Sequence, residues 1–222
     1  MLEAGTAGAR GDADGSPESV VAGVERLILF SDAVVAIAIT LLALDLHVPD
    51  QVTNAGFWRE LINNRADYLG FLISFAVIGN HWLSHHRIWG NVTRLTSRLL
   101  YWNLLWLLMV VLTPFATRVI VADGAFAARF TLYALVQALA SSLFLVAVHE
   151  MDRHDLVRAG TPRSVFSDTY LRTSFVIGAF LVSIPVAYVT HWAYACWAAV
   201  PVALRLHSLW RHRFRRAGSV RP

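Results

Sequence analysis

Long apolar stretches separated by short polar segments dominate this chain. Six of them, at about 27–48, 67–88, 98–118, 125–148, 170–189 and 191–210, are candidate membrane helices, since about 20 apolar residues span a bilayer. Only Thr190 and His191 separate the fifth from the sixth. Pro114, Pro185 and Pro201 fall inside expected spans; membrane helices tolerate proline as a kink when neighbours satisfy the freed carbonyls. In the first span, Ile37, Thr40, Leu41 and Leu44 stand at i, i+3, i+4 and i+7, with Ala33 one turn earlier, so they share a face. Ala36, Ala38 and Ala43 lie between, small enough for neighbouring helices to approach closely. Periodicity alone favours reading this stripe as packing.

Composition narrows the class to an all-α integral membrane protein. Hydrophobic residues make up 56% of the 222, and mean hydropathy is +0.51, outside the range of ordinary soluble domains. Residues 1–23 are rich in Gly, Ala, Asp, Ser and Pro. They are expected to form a disordered cytoplasmic N-terminus without signal-peptide character. The expected organisation continues with a six-helix membrane domain at 24–210 and a basic cytoplasmic tail at 211–222. Cys196 is the single cysteine and sits in an apolar segment, which excludes an intrachain disulfide and a thiolate metal cluster.

Charge placement adds a sidedness. The formal charge is +4, and all 19 basic residues are arginine. With a cytoplasmic N-terminus and six spans, that side receives Arg87, Arg94, Arg98, Arg153, Arg158, Arg163, Arg172 and the tail arginines. The opposite side receives only Arg59, Arg65, Arg118 and Arg129. The positive-inside rule asks for this asymmetry when an even number of spans leaves both ends in the cytoplasm. The tail R-L-H-S-L-W-R-H-R-F-R-R follows the last span directly. Its simplest partner is the anionic lipid headgroup, each arginine contributing about 1 kcal/mol near such a surface; nucleic acid is the weaker reading.

The candidate chemistry sits at the start of the first span. Arg26, Phe30, Ser31 and Asp32 spell R-x-x-x-F-S-D, followed by A-x-x-A-I-x-I-T-L-L-x-L-x-L. Asp32 lies about a turn inside the apolar run, where an ionisable group is costly and suspect of function or assembly. Arg26 and Asp32 are six positions apart, roughly 120° around a helix, so they are not a natural pair. The second span offers partners in G-N-H-W-L-S-H-H, where Asn80, His81, Trp82 and His85 could supply donors.

This motif and the helix after it resemble the first helix of the potassium channels related to lysosomal transmembrane protein 175. The resemblance implies that the first helix lines a pore. Ile37, Leu41 and Leu44 would form its aliphatic constriction and Thr40 a polar layer beside it. Potassium would be the permeating ion, and no cofactor or resident metal is expected. A ring of aliphatic side chains can close a pore by dewetting, in place of the carbonyl filter whose T-V-G-Y-G signature does not occur here. The resemblance also implies that the R-x-x-x-F-S-D residues tie the pore helix to its neighbours. R-S-V-F-S-D at 163–168 echoes the motif but lacks a spacer residue and the I-x-I-T-L-L continuation. One chain therefore holds one pore helix, and a central pore requires several copies. Relatives with two repeats form dimers, so a homotetramer in the cell membrane is expected.

Two other classes compete. Asp32 and the second-span histidines suit a proton-conducting channel or a proton-coupled carrier. His81 and His85, one turn apart, have a metal-chelating spacing and resemble one histidine box of membrane di-iron enzymes. Those enzymes need several boxes, and no second H-x-x-H-H occurs. H-E-M-D-R-H at 149–154 is one residue too long for a metalloprotease helix. The expected protein is a channel and not an enzyme.

Overall fold

The computed structural model describes residues 17–50, 53–200, 202, 204 and 205. Among them, six α-helices follow one another: α1 (Pro17–Leu44), α2 (Asn54–Asn63), α3 (Arg65–Trp89), α4 (Ser97–Val121), α5 (Phe126–Arg153) and α6 (Arg163–Ala187). A 3-10 turn at His191–Ala193 then leads into helical residues 194–200. The far part of the sixth expected span, Pro201 and the tail 211–222 lie outside the described residues, as do residues 1–16.

α1, α4, α5 and α6 are long and apolar enough to cross a membrane. α3 has the same 25-residue length as α4 and α6, about 37 Å of helix. Asn80, His81, Ser84, His85, His86 and Arg87 crowd its second half and lower its apolar character. This chain is an all-helical membrane protein.

Several boundaries differ from the sequence-based expectation: α5 runs on to Arg153, past 148, and α6 begins at Arg163, ahead of 170. α1 begins at Pro17, ahead of the expected start of the first span at 27. Proline suits the first turn of a helix, where its missing N–H is an orphan in any case. α1 also ends at Leu44, short of residue 48; Pro49 biases the residue before it toward extended backbone, and residues 46–50 have no regular structure. α2 was not expected. The Thr53 hydroxyl starts it by accepting from the Gly56 N–H at 3.1 Å. It sets Phe57, Trp58 and Ile62 on an exposed apolar side, a pattern suited to a membrane–water boundary.

The connections gather at two ends. Where α1 begins, the α3–α4 and α5–α6 loops interlock through an antiparallel bridge between Val92 and Val157. The Arg158 N–H donates to the Asn91 carbonyl at 2.8 Å, and the Thr93 N–H to that of Leu156 at 2.9 Å. At the far end Arg118 lies 3.3 Å from Asp45. The Arg129 guanidinium there donates to the carbonyls of Ile120 and Gly124, each at 3.0 Å. A cation at the end of α4 satisfies carbonyls that the helix leaves free. Gly124 makes the turn into α5 at φ +111°, a backbone angle open to glycine.

The core has two parts. One joins α1, α3, α4 and α5 through Leu27, Val35, Ile78, Trp89, Trp106 and Phe144. The other, toward the far end, gathers Ala116, Phe130, Tyr133, Ala134 and Phe180, with Trp197 packed against them. α5 packs chiefly on α4 and α6, whereas α1 leans on α3 and α4. Half of the α1 surface is therefore left open.

Candidate pore helix and its polar anchor

α1 divides lengthwise. Val24, Leu27, Ser31, Val35, Ala38 and Leu42 form its buried stripe. The opposite stripe is open: Ile37 is 59% exposed, Leu41 41% and Leu44 78%, against 1% for Ala38. Ala33 and Thr40 lie on the same open side. The Thr40 hydroxyl donates to the Ile37 carbonyl at 2.9 Å, so its oxygen keeps lone pairs facing outward. Thus the stripe read from the sequence is one continuous face that the subunit itself does not cover.

The buried stripe is held by a polar chain. The Ser31 hydroxyl donates to the Leu27 carbonyl at 2.8 Å, one turn back on α1. Its oxygen accepts from Asn103 Nδ2 of α4 at 3.0 Å. Asn103 must then turn its Oδ1 toward His85 of α3, whose Nε2 lies 3.0 Å away. An amide oxygen only accepts, so the network puts the His85 proton on Nε2. The His85 ring is stacked between Trp106, 4.6 Å away and 7° from parallel, and Trp89 at 4.9 Å and 20°. Three helices are joined at one buried point.

Asp32 takes a separate contact. Its carboxylate accepts from the indole N–H of Trp82 at 2.9 Å, and the Trp82 ring stacks on His86 at 5.4 Å. Arg26 and Phe30 are exposed, and among the described residues Arg26 has no hydrogen bond or ion pair. Asn80 is likewise exposed without a partner among the described residues. His81 is buried and lies beside Gln137 of α5. Of the eight motif and second-span residues, the structure gathers Ser31, Asp32, Trp82 and His85 between α1 and α3. It turns Arg26, Phe30 and Asn80 outward and sends His81 to α5.

Sequence reading missed the residue at the centre, Asn103. It also missed a second buried chain deeper in the bundle. There the Thr117 hydroxyl lies 2.7 Å from Ser74, which is 3.1 Å from the Tyr133 hydroxyl. Gln137 Nε2 donates to Thr113 at 3.2 Å. Each of these is an isolated polar residue in an apolar span, and that was the available signal: in lipid such a group must find a partner inside the protein.

Chemically, the arrangement separates two tasks. Ser31, Asn103, Asp32 and Trp82 are paired between helices, and the open face of α1 presents aliphatic side chains with one hydroxyl among them. Residues 26–114 match the family model described as "Endosomal/lysosomal potassium channel TMEM175". A protein of Streptomyces collinus named as a potassium channel is 33% identical over 178 residues, 75% of this chain and 86% of that protein. A Chamaesiphon minutus protein, also named as a potassium channel, is 45% identical over 94 residues, 41% of this chain and 46% of that one. Among solved structures, the crystal structure of a lysosomal potassium-selective channel TMEM175 homolog from Chamaesiphon minutus superposes with a TM-score of 0.68 at 30% identity. It covers 83% of this chain and 98% of its own.

Proposed function

This chain belongs to the TMEM175 family, and from that premise we propose that it is a potassium-selective cation channel of the cell membrane, with α1 lining the pore. The relatives are channels, not enzymes. One observation carries the reading: the two-sided character of α1, pinned through Ser31 on one side and open along Ile37, Leu41 and Leu44 on the other. Four copies around an axis would turn those open stripes inward as stacked aliphatic rings. A narrow apolar neck holds water poorly, so the rings would form a dewetting barrier. Slight widening would admit a partly dehydrated ion, a step that costs less for potassium than for sodium. The Thr40 oxygens would replace part of the lost hydration.

In this reading α3 and the segment after Thr190 also cross the membrane, which makes six spans and leaves both termini in the cytoplasm. Two polar side chains of the less apolar α3, His81 and His85, face inward, and His85 is bonded to Asn103, which eases its accommodation. The arginine-rich tail would lie against anionic headgroups.

Reconstituted protein under potassium/sodium bi-ionic conditions should give currents that reverse near the potassium equilibrium potential and ignore a pH gradient. Currents that follow the pH gradient instead would favour a proton-coupled carrier. Native mass measurement in mild detergent should find four copies. A monomer or dimer with retained flux would overturn the central-pore arrangement.

A further inference from the structure

The interlocked loops at the α1 end border a half-open cavity of about 810 Å³. Its walls come from the α3–α4 loop, the last turn of α5, the α5–α6 loop and the first two turns of α6. Arg94, Arg158 and Arg163 line it. Arg94 is occupied, donating to the carbonyls of His154 at 3.3 Å and Asp155 at 2.7 Å. The guanidinium groups of Arg158 and Arg163 have no hydrogen bond or ion pair among the described residues. The Arg158 backbone is nevertheless fixed, its N–H bonded to the Asn91 carbonyl across the loop bridge. Of the two carboxylates in the lining, Asp152 lies beside the Tyr170 hydroxyl, whose hydrogen-bond partner is His149 Nδ1 at 3.4 Å. Asp155 is the other, held at φ +48°.

Solvated arginines are ordinary on membrane-protein loops. These two differ in lining a formed cavity whose apolar wall includes Phe166 and Val157. Guanidinium groups recognise phosphate through paired, charge-assisted hydrogen bonds. We propose that this cavity is a phosphate-binding site, in which Arg158 and Arg163 clasp the phosphate of a phospholipid headgroup or of a soluble phosphate compound. Phe166 and Val157 pack in the same core cluster as Val24 and Leu27 of α1. Leu95 of the neighbouring loop would lie 3.7 Å from a Cβ placed on Gly23. A filled site would therefore brace the start of α1.

The test uses the full chain in mild detergent stripped of phospholipid, with thermal unfolding as the readout. Three additions are compared: dihexanoyl phosphatidylglycerol, inorganic phosphate, and dihexanoylglycerol as the phosphate-free control. Phosphatidylglycerol, inorganic phosphate or both should stabilise the protein saturably, and dihexanoylglycerol should not. Stabilisation by the lipid alone identifies a headgroup site. An equal effect of inorganic phosphate identifies a soluble ligand.

Arg158→Gln/Arg163→Gln should raise the half-saturating concentration by about tenfold or more, while Arg59→Gln on α2 should leave it unchanged. Asp155→Asn removes one of the two lining carboxylates and should lower that concentration by about threefold. Asparagine tolerates the left-handed backbone at 155, so this variant tests the site even if the double variant does not fold. The proposal fails if neither phosphate compound stabilises the protein, or if dihexanoylglycerol does so equally. It fails also if the double variant folds and binds as before, or if Asp155→Asn does not tighten binding.

Discussion

Replacing Asn103 by leucine tests whether α1 is held by the polar chain or by apolar packing alone. Asn103 is 1% exposed, and leucine preserves most of its volume. Two hydrogen bonds of 3.0 Å disappear, one to Ser31 and one to His85. Ser31 keeps its bond to the Leu27 carbonyl, so its loss is small. His85 is left worse off, because its Nδ1 already has no partner among the described residues. Its Nε2–H would then be buried and unsatisfied between Trp89 and Trp106. Such a group costs about 1–3 kcal/mol, and the lost bonds add about 1 kcal/mol net.

Membrane surroundings reduce these figures, since the unfolded chain in lipid also finds partners; measured inter-helix pairs average about 0.6 kcal/mol, with a maximum near 1.7. The expected loss for Asn103→Leu is therefore about 1.5–3 kcal/mol, and the His85–Asn103 coupling in a double-mutant cycle is about 0.6–1.7 kcal/mol. Unfolding can be followed through tryptophan fluorescence, because Trp89 and Trp106 sandwich the affected ring. Asn80→Leu is the control: Asn80 is exposed and without a partner among the described residues, so its effect should stay within about 0.5 kcal/mol. If Asn103→Leu is as harmless as the control, or the cycle shows no coupling, packing alone holds α1 and the anchor argument is wrong.

Ile37→Asn should raise conductance and weaken discrimination between potassium and sodium in single-channel recordings, because it wets the neck. Ala38→Asn, at a position 1% exposed, should instead lower the yield of assembled protein; unchanged conduction in an assembled Ile37→Asn channel would remove Ile37 from the ion path. Asp32→Asn keeps an acceptor for Trp82 and should cost less than Trp82→Phe, which leaves the carboxylate without its 2.9 Å donor and should lose about 1.5–3 kcal/mol before solvent screening of this partly exposed pair. Equal thermal stability of those two variants would refute that ordering. Gly70→Ala would press its Cβ into Val121 Cγ1, an overpacking cost of about 1–3 kcal/mol. Adding Val121→Ala should recover much of it, and no recovery in thermal unfolding would place the strain elsewhere.

Much of the architecture could be read from one chain of letters. α1, α3, α4, α5 and α6 lie where the apolar runs lie, because a bilayer-length run has to satisfy its own backbone polar groups and a helix does so within one segment. α2 escaped because its signal is short: one capping Thr53 and five apolar residues in a ten-residue helix. The end of α1 was set too late because a hydropathy run continues through Leu46 and Val48, while the backbone has already stopped being helical at Leu44.

The candidate site was legible in part, and the boundary has a physical cause. Sequence shows which residues share a face of α1 and that Asp32 and Ser31 stand at a costly depth. It does not show which face turns inward. α1 is apolar nearly all round, and lipid is as apolar as a protein interior, so no polarity gradient around the helix marks the buried side. That side is settled by shape and by partners far along the chain. Ser31 and Asn103 are 72 positions apart, and Asp32 and Trp82 are 50 apart. Asn80 and Trp82 looked equally good as donors on α3, two residues apart; about 200° of helical rotation puts only one of them against α1. The letters determine helices, stripes and the list of polar groups that need partners. Pairing those groups requires the helices to be packed, because each bond spans two helices and its energy exists only once both are in place.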